Sequence, residues 1–214
     1  MKAIPVFTCA DGIATLILRE VFSRGEAYVL VRSVFSTVPA LLRACEDFCR
    51  AAGATRVYFG GAADFSDCRV YARLLERRIA RQLLPETPAL AVPVRAQEAA
   101  QWAALYNERF RAVPAAQSCR TPEDAYFIER GTERIGLGQV RGESLRSVAA
   151  LRRGCGAACV SALAALAEGT HLRLLCAAEN LPAMRLYDRL GFTRGAVKEI
   201  WYQKPDFSCN SAEL

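Results

Sequence analysis

Histidine is nearly missing from this chain: His171 is the only one in 214 residues. No Cys-x-x-Cys occurs among the nine cysteines; Cys45/Cys49 and Cys155/Cys159 are spaced four apart, and nothing in that spacing favours a closed tetrahedral zinc site. The odd cysteine count and the absence of a signal-peptide pattern at the N-terminus point to reduced thiols and a cytoplasmic setting rather than a disulfide framework. No apolar run is long enough to span a bilayer, so no membrane partner is expected. Lysine is scarce, and nearly all of the 28 basic residues are arginine. No basic tract with interleaved aromatics is present, which argues against nucleic acid as a partner.

What is present is the material of a globular protein. Apolar residues make up 52% of the chain and charged residues 23%. The net charge of +6 suits an anionic ligand without choosing one.

The stretch Leu172–Phe192 is the most ordered piece of pattern. LRLLCA is a short apolar run of strand type. Asn180 follows as a helix cap, Pro182 falls in the first turn, and Gly191 ends the helix. Ala183, Leu186, Tyr187 and Leu190 recur at helical spacing on one face. Upstream, Val148–Ala158 (VAALRRGCGAA) follows a strand and opens a helix. A diphosphate needs converging backbone N–H groups, small residues that allow close approach, and a helix N-terminus for its charge. Arg152, Arg153, Gly154, Cys155, Gly156, Ala157 and Ala158 offer all of these. A Rossmann loop is the competing reading, with Gly154-x-Gly156 and Glu179, but Cys159 stands where the third glycine belongs and three antiparallel strands precede the loop. Cysteine catalysis from Cys155 or Cys159 would need His171, at the far end of that helix.

The remaining elements follow in order. Residues 13–22 and 27–35 read as strands, 38–52 as a helix capped by Ser36-Thr37, and 56–59 as a strand. Ser66 is expected to cap a second helix with Val70, Tyr71, Leu74, Leu75 and Ile79 on one face. Prolines 85, 88 and 93 suggest a boundary near 86–88, dividing the chain into 1–86 and 87–214. Beyond it come a strand (90–94), a helix carrying Trp102, Leu105, Tyr106, Phe110 and Val113, three strands near 126–150, and a helix at about 156–168. The Leu172–Phe192 unit and a last strand near 198–204 complete the series. A shift of 116 positions lays residues 51–74 on 167–190 with seven identities, among them Tyr71 on Tyr187 and Leu74 on Leu190, as an internal repeat would.

The Asn–Ala–Leu-Tyr–Leu-Gly-Phe spacing over 180–192 resembles the C-terminal signature of the GNAT superfamily of acyl-CoA-dependent N-acyltransferases. The loop is similar to that family's pyrophosphate motif, Arg/Gln-x-x-Gly-x-Gly/Ala, at Arg153, Gly156 and Ala158. The element order over 88–204 resembles the same fold. The resemblance implies an α/β (α+β) GNAT fold, with a mixed, largely antiparallel sheet flanked by helices. Residues 87–214 would be the N-acetyltransferase domain, and 1–86 a smaller, degenerate and structural half-repeat.

It further implies acetyl-CoA as acyl donor, a primary amine as acceptor, no metal, and a monomer or homodimer. The strand ending at Ser147 and Val148 would part from Leu172–Ala177 to admit pantetheine, with Asn180 near the same arm. Tyr187 would protonate the leaving thiolate, with Glu129 and Glu143 as candidate bases, and the Val148 N–H would hold the oxyanion. A catalytically silent module that binds CoA or a protein partner is the alternative.

Overall fold

The computed structural model describes residues 5–205. The chain divides into two compact units, one running to Arg73 and resuming at Glu199, the other Leu74–Lys198. The proline-marked stretch 86–88 lies inside the second unit, between a strand that ends at Ala80 and one that begins at Leu90.

The first unit opens with β1 (Val6–Cys9), β2 (Gly12–Ile17), the short helix α1 (Val21–Arg24) and β3 (Glu26–Val34). Helix α2 (Val38–Ala51) and β4 (Arg56–Gly61) follow. β1, β2 and β3 are antiparallel neighbours, and β4 lies parallel to β3. Thr37 caps α2 as its spacing predicts, accepting from the Ala40 N–H at 3.4 Å. The apolar face of α2 (Leu41, Leu42, Cys45, Cys49) packs on Leu16, Val29, Val31 and Phe59. Residues 20–24 form a helical turn ended by Gly25 in the left-handed region, where the sequence suggests a strand and a plain turn.

One expectation fails outright. Residues 69–80 form β5 (Arg69–Ala80), not a helix. Leu75 and Ile79 do face the core, but they do so as alternate residues of a strand, with the buried Arg77 between them. A charge at a core position disguised the period-two pattern. Antiparallel pairing with β10 (His171–Ala177), from Ala80↔His171 to Leu74↔Ala177, overrides local propensity. The 116-residue shift therefore lays strand on strand and helix on helix over β3, α2 and β4, but not beyond. The first unit has no helix where the 116-residue shift demands one.

The second unit holds the end of β5, then β6 (Leu90–Pro93), α3 (Ala99–Phe110), β7 (Ala125–Arg130), β8 (Glu133–Arg141) and β9 (Ser144–Ala150). After these come α4 (Gly156–Ala164), β10, α5 (Leu181–Arg189) and β11 (Thr193–Gln203). The strands lie in the order β6-β7-β8-β9-β10-β5-β11, with β9 and β10 parallel and the β6–β9 and β10–β5 pairs antiparallel. β11 crosses the division: residues 193–198 belong to the second unit and 199–203 to the first, where Tyr202 pairs with Phe59 of β4.

Helix α4 sits low on β8 because β8 carries glycines there. A Cβ at Gly136 would lie 2.2 Å from Cys159 Sγ and 3.0 Å from the Ala149 carbonyl. Gly136→Ala should therefore destabilise the fold by about 1–3 kcal/mol through overpacking. Chemical denaturation that gave wild-type stability would refute this seating of α4.

Candidate active site

β9 is bulged where it faces Gly138. Gln139 pairs with Arg146 and Leu137 with Ala149, so Ser147 and Val148 together oppose one residue. Ser147 takes φ +53°, a conformation a non-glycine residue rarely adopts. Before this point β9 has already left its other neighbour. β10 pairs with it at Ser144↔Arg173, beside the Arg173 N–H to Glu143 carbonyl bond at 3.0 Å; no further β9–β10 pairing occurs among the described residues. A cleft of about 730 Å³ opens there. β9 contributes Arg146 and Ser147, β10 Arg173 and Leu175, and β5 Glu76; α3 and the chain after it close one side with Tyr106, Phe110 and residues 113–117.

The small-residue loop connects β9 to α4. Its Leu151 N–H is anchored on the Ile135 carbonyl at 2.8 Å, and Gly154 takes φ +82°. The N-cap of α4 is Cys155, whose side chain makes no cap hydrogen bond. The first-turn N–H groups of Gly156, Ala157 and Ala158 have no carbonyl behind them within the helix. Gly156 packs closely on α5, since a Cβ there would come within 2.9 Å of the tip of Leu186. Arg153 is exposed; Arg152 is exposed too and pairs with Glu133 at 2.6 Å.

Asn180 caps α5, accepting from the Ala183 N–H at 3.4 Å. Tyr187 is 6% exposed, and its ring meets Phe192 edge-on at 5.3 Å. Burial pushes its phenol pKa up, with a smaller push from Cys176 and an opposing pull from the Arg77 guanidinium. The phenol is thus held protonated at neutral pH. Arg77 is fully buried; it donates to the Asp188 carboxylate and to the Phe192 carbonyl at 3.0 Å, tying down both ends of the Tyr187 neighbourhood. Its Nε has no hydrogen-bond partner among the described residues.

The expected residues thus fall into groups. Ser147 lines the cleft. Val148 stands on the bulge, Arg152–Ala158 form the α4 entrance, and Asn180 and Tyr187 belong to α5; none of these lines the cleft. Glu129 and Glu143 do not line it either. Glu129 is held by Arg134 at 3.2 Å, and Glu143 is an exposed turn residue beside Gly169. The carboxylate that does line the cleft is Glu76, which the helix expected after Ser66 conceals, because only a strand at 69–80 lays it beside β10. The β-favouring Val70-Tyr71 pair was the available signal. Among the described residues no group of three or more potential ligands is placed to hold a metal ion, and no helix is long and apolar enough to cross a membrane.

This architecture has known counterparts. A functionally unknown conserved protein from Staphylococcus epidermidis ATCC 12228 is similar with a TM-score of 0.61, 11% identity and 92% of each chain covered. A GCN5-related N-acetyltransferase from Kribbella flavida is similar with a TM-score of 0.55 and 16% identity, over 95% of this chain and 90% of that one. A protein from Enterococcus faecalis V583, described as a probable N-acyltransferase, gives a TM-score of 0.53 at 10% identity, over 90% of this chain and 58% of its own. No protein-family model and no curated protein matches the sequence. The chain has the GNAT fold, a mixed sheet with flanking helices.

Asp188 also pairs with Arg194 at 2.9 Å, and Arg194 and Arg77 together hold its carboxyl down at about 2. A depressed carboxylate stabilises the fold above its unfolded pKa of about 4, and that contribution is lost as pH falls towards 2. The melting-temperature gap between wild type and Asp188→Asn should therefore shrink as pH is lowered through this window. A constant gap would show that Asp188 is not held as an anion.

Proposed function

We propose that the protein is an N-acetyltransferase that moves an acetyl group from acetyl-CoA to a primary amine by direct attack. Residues 87–214 carry the catalytic domain, in a cytoplasmic setting. Residues 1–86 are a degenerate GNAT-like copy whose role is structural, apart from lending β5 to the catalytic unit. The observation that supports this most is the parting of β9 from β10 immediately after one paired position, with a cleft opening beside the bulge at Ser147.

The residues present suit acetyl-CoA. The gap beside Ser147 and Val148 frees strand backbone groups for the amides of a pantetheine arm. The uncapped start of α4 offers N–H groups and the positive end of a helix dipole to a diphosphate, with Arg153 beside it. Asn180 lies at the start of α5, on the far side of β10 in the chain. The amine nitrogen attacks the thioester carbonyl, forming the N–C bond, and the C–S bond breaks. The nitrogen's proton passes to a base, for which Glu76 is better placed than Glu129 or Glu143 because it lines the cleft. The Tyr187 hydroxyl gives its proton to the departing thiolate, and burial favours the protonated phenol this requires. The Val148 N–H is the candidate donor to the oxyanion.

Thermal unfolding with acetyl-CoA, using NAD and ATP as controls, tests the binding step. At about a hundred times its dissociation constant, acetyl-CoA should add roughly 2.7 kcal/mol. Ala157→Glu puts a carboxylate at the start of α4, where the helix tolerates it but a diphosphate does not. That variant should fold and lose the shift, and Arg153→Ala should weaken it. Tyr187→Phe should keep the shift and lower kcat by about a hundredfold or more. No shift with acetyl-CoA or any acyl-CoA would overturn the proposal. A shift without turnover on any amine would favour a silent CoA-binding module.

A further inference from the structure

We infer that the acceptor is an amine bearing a carboxylate, bound in the cleft between Glu76 and the arginines Arg146 and Arg173; this rests on the acyl-transfer reading of that cleft. Four charged side chains line it: Glu76, Arg146, Arg173 and Lys198. Three are cationic, so a simple alkylammonium would enter against a net positive field. An amine that brings its own anion would not.

Placement separates the two kinds of charge. Glu76 stands on β5, opposite Leu175 of β10, and is 12% exposed. Its Oε2 accepts from Arg78 at 2.9 Å and lies 3.8 Å from Lys198 Nζ. A carboxylate has about four acceptor positions, so these contacts leave room for an ammonium. Arg146 and Arg173 come from β9 and β10, on either side of the line along which those strands part. Arg173 donates through Nε to Ser144 Oγ at 3.0 Å, which fixes the root of its guanidinium and leaves its terminal nitrogens available. Among the described residues neither Arg146 nor Arg173 has a carboxylate within ion-pair reach. Unmatched guanidinium forks in a cleft are suited to a planar carboxylate, which they can grip through two N–H groups at once. Leu74, Leu175, Tyr106 and Phe110 line the remainder with apolar surface, against which a short hydrocarbon segment between ammonium and carboxylate can lie.

The test is equilibrium binding by calorimetry, with and without CoA, of α-, β- and γ-amino acids, each paired with its own amide, and of phosphoethanolamine. At least one amino acid should bind about tenfold or more tightly than its amide, the size of a lost charge-assisted contact, and the preference should weaken in high salt. Arg146→Gln and Arg173→Gln, both at exposed positions, should bring the acid-to-amide ratio towards one, and Arg173→Glu should invert it. Equal binding of acids and amides, no binding of any probe, or a ratio untouched by the arginine variants would overturn the inference. So would a preference for phosphoethanolamine over every carboxylate. The acyl-transfer reading fails separately, through the absence of an acetyl-CoA shift, and the acid-to-amide ratio can still be read in that case.

Discussion

The separation of two parallel strands governs the second unit. β9 and β10 meet at Ser144 and Arg173 and then diverge, and a sheet tolerates such a split only if the freed backbone groups find other partners or water. The bulge at Ser147 follows the parting directly, and Gly138 opposite it leaves room for Leu163 of α4. The cleft and an exposed strand edge both follow from this parting.

The first unit shows the same strand series without the split. β3 and β4 stay paired from Glu26↔Arg56 to Val31↔Gly61. Under the 116-residue shift Val31 and Gly61 correspond to Ser147 and Ala177, the positions that flank the cleft in the second unit. Gly61 takes φ +102°, and a Cβ there would meet the Val31 carbonyl at 2.3 Å. The pair is thus closed by close backbone contact. Ladder geometry thus leaves no such gap between β3 and β4.

Much of the second unit was legible because its signals are local. A cap at Asn180, a proline in the first turn, Gly191 after the helix and the small residues at 154–158 each fix a boundary without help from distant chain. β5 was not legible, because what makes it a strand is seven consecutive pairings with residues almost a hundred positions away. Arg77 could not be foreseen at a fully buried site either, since its partners, Asp188 in the last turn of α5 and Phe192 just after it, are more than a hundred positions away. Glu76 was missed for the same reason, as its exposure to the cleft follows from the strand assignment.

The route of β11 bears on how the chain matures on the ribosome. The first unit lacks its last strand until residues 199–203 are made: Tyr202 then pairs with Phe59, Trp201 packs edge-on against Tyr28 at 5.0 Å, and Lys204 reaches Glu46 at 2.7 Å. Until those residues leave the exit tunnel, the outer edge of β4 is an open ladder of N–H and C=O groups, a surface that invites pairing with another nascent chain. Domains usually fold in the order of their synthesis. Here the N-terminal unit must wait for the whole of the other unit to be translated, so this protein's interval of greatest exposure to aggregation is set by the length of residues 74–198 rather than by the folding speed of either unit.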